Sequence, residues 1–247
     1  MWTPTALAFE FRPYRRDVWR VVEAQHRIST NRLSGNLDDQ RRLEELTEAA
    51  KPNLPKAARG KHYLIASPFR YGHGVASRFR RAGERPGIFY ASEHEGTAIA
   101  ETAYWRLRFF SRSPGFVPPA TTSEHLSFKV AIKAKRALHL TRAPCAALAN
   151  QWGDPVDYGP CQELAHAARQ ANAQLIRSSS VRDPEARANV AIFDPAAIMS
   201  EAPTYGQTWH FRFEQGRLSA LAAFPGGQRY SFDARTFGRG LNAARMG

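Results

Sequence analysis

Glu101 stands in the middle of an apolar run, between Ala98-Ile99-Ala100 and Ala103-Tyr104-Trp105. On helical spacing Ile99, Ala103, Leu107 and Phe110 fall on one face, and Thr97, Ala98, Glu101, Tyr104, Trp105 and Arg108 on another. Both faces are too apolar for a surface helix, which predicts a segment buried on two sides. A carboxylate there is costly unless it has a partner or a purpose. It is either half of a structural ion pair, with an arginine such as Arg108, or a functional acid. Three other groups bear chemistry. Arg70, Arg78, Arg80, Arg81 and Arg85 crowd one stretch, opposed locally only by Glu84, and guanidinium forks grip anions. Tyr90 sits in an apolar run, and Ser178-Ser179-Ser180 closes another. Alone, the tyrosine reads as a core aromatic, the serine as a turn residue and the arginine as a surface charge. It is the combination that points to a site.

The elements that must position these groups follow from local pattern. Gly87-Ile88-Phe89-Tyr90-Ala91 reads as a short buried strand entered from Pro86-Gly87. Ser92 with Glu95 three residues on fits a capping box opening a helix that runs to about Arg112. Upstream, residues 14–28 read as a helix with Val18, Val21, Val22 and Ile28 on its apolar side. A second helix begins at Asn36-Leu37-Asp38 and ends before Pro52. Residues 1–55 are thus expected to be a helical N-terminal portion packed on a body of residues 56–247. In the body, residues 62–66 read as a strand and residues 67–86 as a long basic loop, the kind that often binds ligands. Residues 113–123 read as a connector.

Leu126, Phe128, Val130 and Ile132 alternate as in a half-buried strand, and residues 137–140 read as another short one. Helices are expected at 143–152 and 162–173, and strands at 175–180 and 189–193 around an Arg182-Asp183-Pro184 turn. Three more strands, TWHFRF, RLSALAAF and QRYSF, close the chain. Strands and helices without βαβ alternation predict an α+β fold.

Composition narrows the function classes. The chain has 247 residues, 43% of them hydrophobic, enough for one large domain with a core. No run approaches the roughly 18 apolar residues of a membrane span, and the N-terminus has no continuous apolar signal region. Two cysteines without metal or redox spacing favour a reducing, cytoplasmic location. No Cys/His cluster, G-x-S-x-G elbow or P-loop is present, so zinc, serine-hydrolase and P-loop chemistries are set aside. The net charge of +13 calls for a counter-charged partner. There is no helix-turn-helix, zinc-finger or single-strand-binding signature beside it. A phosphorylated small molecule or an acidic protein explains it as well as nucleic acid does.

Taken together, several stretches resemble the RES domain, named for its Arg, Glu and Ser. They are Ser77-Arg78-Phe79, GIFYASE ending at Glu93, TAIAETAYWR around Glu101, DYGPCQELAHAARQANA, Ser180-Val181-Arg182-Asp183-Pro184 and NVAIFDP. VVEAQHRIST and TWHFRF also look like longer members of that family, so the resemblance covers most of the chain.

The resemblance implies an ADP-ribosyltransferase-like fold with a mixed or antiparallel sheet. It also implies a toxin of a bacterial toxin–antitoxin pair, whose Xre-type antitoxin carries the DNA-binding domain. Nucleic acid would then be reached only through the antitoxin. Family members degrade NAD by hydrolysis or phosphorolysis, and some are described as ADP-ribosylating a protein. NAD would be a substrate and phosphate a possible co-substrate, with no resident cofactor, no metal and no membrane. The family's residues carry over to Arg78, Tyr90, Glu101 and Ser180, with Arg70 and Arg80 as rivals to Arg78, and Ser178 and Ser179 as rivals to Ser180. Tyr104, Arg182 and Asn189 are left outside the site. On this reading Arg78 grips the pyrophosphate. Tyr90 stacks on nicotinamide or bonds the ribose, Ser180 orients the ribose or amide, and Glu101 stabilises the ribosyl cation. The competing class is a basic, non-catalytic module for nucleic acid or an acidic protein. Such a surface has no use for a buried acid on an apolar helix.

Overall fold

The computed structural model describes residues 2–24, 36–111 and 122–237. Its elements are α1 (Pro4–Phe9), β1 (Phe11–Glu23), α2 (Leu37–Ala50), α3 (Tyr63–Arg70), β2 (Phe89–Ser92), α4 (Glu95–Ser111) and β3 (Ser123–His139). There follow α5 (Ala149–Trp152), α6 (Gly159–Gln170), β4 (Leu175–Ser179), β5 (Ala188–Ile192), β6 (Thr204–Glu214), β7 (Arg217–Ala222) and β8 (Arg229–Asp233). Helices and a mixed sheet without βαβ alternation make this an α+β fold.

β3 organises the sheet. The strand that carries Leu126–Ile132 runs on without a break through Ala137 and Leu138, so the two strands expected there are one. One edge of β3 pairs antiparallel with β1, from Phe11 opposite Leu138 to Glu23 opposite His125. Its other edge is divided. β6 takes the end at Ser123–Lys129, and β4 runs parallel to Ala137–His139. Pairing of β4 with β5, β5 with β2 and β2 with β1 closes a five-strand ring, from which β6, β7 and β8 extend.

Three expectations need correction. Residues 11–23 are a strand, not part of a helix; residues 25–28 of that expected helix lie outside the described residues, as do Arg112 and residues 113–121 of the expected connector. The helical character of residues 1–55 therefore holds for α1 and α2 but not for β1. The cause is that β1 buries its two faces at different places. Tyr14 and Val18 point into the ring, whereas Val21, with half-buried Trp19, packs beneath α4. Positions 14, 18, 21 and 22 then mimic a helical period. Residues 62–66, expected as a strand, lie on α3 and its cap: His62 Nδ1 accepts from the Leu64 amide, and Ile65, Ala66 and Phe69 make the buried side. A five-residue apolar run carries too little periodicity to separate the two. The capping box does not form. Ser92 ends β2 and donates to Asn189, and Glu95 Oε1 accepts from Trp209 Nε1.

The core has three parts. One fills the ring, with Phe89, Phe128, Val130 and Ile132. A second lies between the ring and α6, with Leu164, Ala168, Ile176 and the buried free thiols of Cys145 and Cys161. Burial pushes the Cys145 thiol up to about 11, so it is unreactive packing. The third joins α4 to β6, β7 and β8 through Ile99, Ala103, Leu107, Trp209 and Phe211.

Glu93 pins the joint between β2 and α4. Its carboxylate accepts two bonds from Arg177 of β4, at 2.7 and 2.9 Å, and one from Tyr14 of β1 at 3.0 Å. Burial alone would raise the Glu93 carboxyl. The bonds and charge of Arg177, with Tyr14 and Arg16, more than offset this and hold it below its ordinary value. A carboxylate depressed in the folded state adds stability above its unfolded value and loses it as pH falls through the folded one. Glu93→Gln should therefore cost about 2 kcal/mol at pH 7, the scale of hydrogen bonds to charged groups. The gap from wild type in urea midpoints should close as pH drops below the ordinary carboxylate range.

Candidate active site

The stripe Thr97, Glu101, Tyr104 on α4, at i, i+4 and i+7, lies against the turn that joins β4 to β5. Thr97 Oγ1 donates to Asp183 Oδ2 at 2.6 Å, and the Arg182 guanidinium sits 3.6 Å from the Tyr104 ring centre. Between them Glu101 Oε1 accepts from Ser180 Oγ at 2.6 Å and from Asn189 Nδ2 at 2.5 Å. Both bonds fall on Oε1; among the described residues Oε2 takes none. The alternative of an ion pair of Glu101 with Arg108 is not realised among them. Arg108 lies over the Trp105 ring instead, at 5.1 Å.

The turn is built to hold that geometry. Ser180 Oγ accepts from the amides of Arg182 and Asp183, at 3.1 and 3.0 Å, so its hydrogen is directed at Glu101. Asp183 is 5% exposed and takes Arg187 bidentately, at 2.6 and 3.1 Å. Burial pushes the Asp183 carboxyl up, but the bonds from Arg187 and Thr97 outweigh it and leave it below its ordinary value. The turn thus stays charged and braced at neutral pH.

Arg78 approaches from the other side. It lies in the Ser77–Arg80 turn and donates to Ser179 O at 2.8 Å and to Trp152 O. Its Nε is buried without a partner. Tyr90 holds this turn: its hydroxyl lies 2.8 Å from Ser77 Oγ and accepts from the Phe79 amide at 3.2 Å. Burial raises the Tyr90 phenol, which stays neutral. The four expected residues thus form one chain of contacts, from Tyr90 through Ser77 and Phe79 to Arg78, then through Ser179 and Ser180 to Glu101.

The rivals are placed elsewhere. Arg70 pairs with Glu48 at 2.6 Å. Arg80 is 4% exposed and donates to His73 O and Val75 O, closing its own loop. Ser178 is buried with its Oγ unpartnered, and Ser179 contributes its carbonyl. Of the residues left outside, Asn189 touches Glu101 directly. Its signal in the sequence is an amide within the apolar strand ANVAI, where a poor strand former needs a reason. Arg182 sits between the Tyr104 ring, Pro155 O at 2.7 Å and Tyr158 Oη at 3.2 Å. The Arg78 guanidinium thus reaches Ser179 and the Arg182 guanidinium reaches Tyr104, and among the described residues both are held by neutral oxygens and a ring rather than by carboxylates.

Among the described residues no group of three or more His, Cys, Asp or Glu could hold a metal, and no helix is long and apolar enough to cross a membrane.

No curated protein matches this sequence. Among solved structures the chain is similar to one titled the crystal structure of the M. tuberculosis MbcT–MbcA toxin–antitoxin complex. Identity is 10%, coverage 98% of this chain and 97% of that one, and the TM-score 0.45. A family model described as RES domain matches residues 54–214, which take in the Arg78 turn, Tyr90, Glu101 and the Ser180 turn. With well over half of its length matched, this chain belongs to the RES domain family.

Proposed function

We propose that this protein is a toxin enzyme that consumes NAD by cleaving its nicotinamide–ribose bond, and that an Xre-type antitoxin restrains it. The toxin role rests on family membership. The observation that carries the chemistry is Glu101, a carboxylate with two donors on Oε1 and, among the described residues, no bond on Oε2, with two guanidinium groups on the adjoining segments that no described acid neutralises. Departure of nicotinamide leaves a ribosyl centre with oxocarbenium character. The leaving group is already cationic, so no strong general acid is required. What helps is fixed negative charge beside the ribose and fixed positive charge beside the pyrophosphate, both held before the reaction begins. The ADP-ribosyltransferase-like likeness of the family belongs to the same proposal.

The geometry refines the individual roles. Ser180 spends its hydroxyl on Glu101 and two amides, so it orients the carboxylate rather than the substrate. The Tyr90 hydroxyl is spent on the 77–79 turn, so it places Arg78, and only its ring is left for stacking. Arg78 uses two of its roughly five N–H donors on carbonyls and its Nε is buried, so the remaining hydrogens of its two terminal nitrogens are the ones that would meet an anion.

The test is release of nicotinamide from NAD by purified protein. Glu101→Gln should remain folded and lose at least ~10²-fold in turnover, the scale of a lost electrostatic stabiliser. Unchanged activity in that variant would refute the role. ADP-ribose as product with and without phosphate indicates water as acceptor, and ADP-ribose-1″-phosphate formed only with phosphate indicates phosphorolysis. Label transferred to a macromolecule while free NAD persists would favour protein modification.

Arg78→Ala should raise KM more than it lowers kcat, since an anion grip acts in both ground and transition states. Arg78→Lys should recover only part of the loss, because an ammonium cannot span Ser179 O and Trp152 O as a planar fork does. Co-expression with the product of a neighbouring reading frame should relieve growth arrest, and a product that neither binds nor protects would remove the antitoxin from the reading.

A further inference from the structure

Ser92, Asn189 and Ser178 stand in one row across three strands. Ser92 of β2 is paired with Asn189 of β5, and Asn189 with Ser178 of β4. Directly paired residues project to the same side of a sheet, so the three polar side chains are neighbours. Ser92 is 2% exposed and Ser178 1%. Apolar neighbours along the same strands, Ala91, Val190, Ala191 and Ile176, are all buried. A polar row in such company is costly unless its hydrogen bonds are made; Ser178 Oγ has no partner, whereas Ser92 and Asn189 make theirs.

The bonds have a direction that chemistry decides. A carboxylate oxygen accepts only, so Asn189 must turn its NH2 to Glu101 Oε1, at 2.5 Å. Its Oδ1 then faces Ser92, whose Oγ is 2.7 Å away and must donate. With the amide flipped, its carbonyl would meet a carboxylate oxygen, acceptor against acceptor, and its NH2 would meet Ser92. The Glu101 carboxylate thus selects the orientation, and Ser92, whose hydroxyl turns to donate to Asn189 Oδ1, completes it. On the far side Ser180 is polarised the same way, because two amides occupy its lone pairs. Oε1 therefore meets donors from two elements at once, and rotating the carboxyl group breaks both bonds.

We infer that Ser92 and Asn189 form a positioning relay that locks the Glu101 carboxyl plane, commits Oε1 to the protein and presents Oε2 to the substrate. Asn189 holds the carboxylate directly, and Ser92 acts through Asn189 without touching substrate. This inference rests on Glu101 being the reacting carboxylate of the proposed function. Ser92 lies on β2, one residue before the Glu93 anchor, so the strand that carries Tyr90 also sets the orientation of Glu101.

Ser92→Ala removes the donor with little change of volume. We expect it to lower kcat for NAD about tenfold with KM within about twofold, a fraction of the roughly 10²-fold that a 1 Å misplacement can cost. Ser92→Thr, which keeps the hydroxyl, should recover most of the loss. A second readout needs no turnover: the Asn189 side-chain amide signals in a ¹⁵N spectrum. In the wild type one amide proton should lie well downfield of the other, as a charge-assisted bond requires, and Ser92→Ala and Glu101→Gln should each collapse that separation. Unchanged kcat and unchanged amide signals in Ser92→Ala would overturn the relay. So would a loss that tracks a lowered melting temperature and that Ser92→Thr does not restore. Should wild-type protein release no nicotinamide at all, the proposed function fails, and the amide signals alone decide whether the relay exists.

Discussion

The contact between α4 and the turn at residues 180–187 is the interaction on which the rest depends. An acid on a helix apolar on both faces must be met by donors, and here they come from a turn and a strand rather than from a cation. That choice shapes both sides. The helix offers Thr97, Glu101 and Tyr104 in one stripe, and the turn answers with Asp183, Ser180 and Arg182. A salt bridge would have neutralised Glu101. Neutral donors hold its position and leave its charge available, which is what an electrostatic role requires.

The same logic applies in reverse to the guanidinium groups. Arg78 and Arg182 are held by carbonyls, a phenol and an aromatic ring, while the carboxylates near the joint are engaged elsewhere, Glu93 with Arg177 and Asp183 with Arg187. Ion pairs brace the scaffold, and among the described residues neither guanidinium is paired with a carboxylate. Part of the excess positive charge of the chain thus becomes local and oriented. The divided edge of β3 makes this arrangement possible. With β4 on one end and β6 on the other, the β4–β5 turn lies against one stripe of α4 while β6, β7 and β8 pack on another.

Much of the site was legible in the chain as written. An acid amid apolar residues announces itself, because burial of a charge is expensive whatever the fold. The short strand before it, the helix that carries it, the β4–β5 pair and the three closing strands follow from local periodicity, and the order of the family's stretches singled out Arg78, Tyr90, Glu101 and Ser180. The failures have physical causes too. β1 was read as a helix because its two faces are buried at different places along its length, which imitates a period of 3.6. The Ser92–Glu95 spacing matched a capping box, yet both side chains found tertiary partners.

The sequence by itself therefore determined which residue types were available for the chemistry, and that an α+β core would carry them. Only the tertiary structure decided who bonds whom. Asn189 stands 88 residues from Glu101 and Ser180 stands 79 away, and no local rule encodes contacts at such separations. Ser180 meets Glu101 because β4 ends at Ser179 and Ser180 opens the turn that reaches α4, while Ser178, two residues back, stays buried in the sheet. Assigning the Tyr90 hydroxyl to a turn rather than to substrate needed the position of residues 77–79. Hydrogen-bond direction is a property of the assembled network, because each donor is committed only once every neighbouring acceptor is in place.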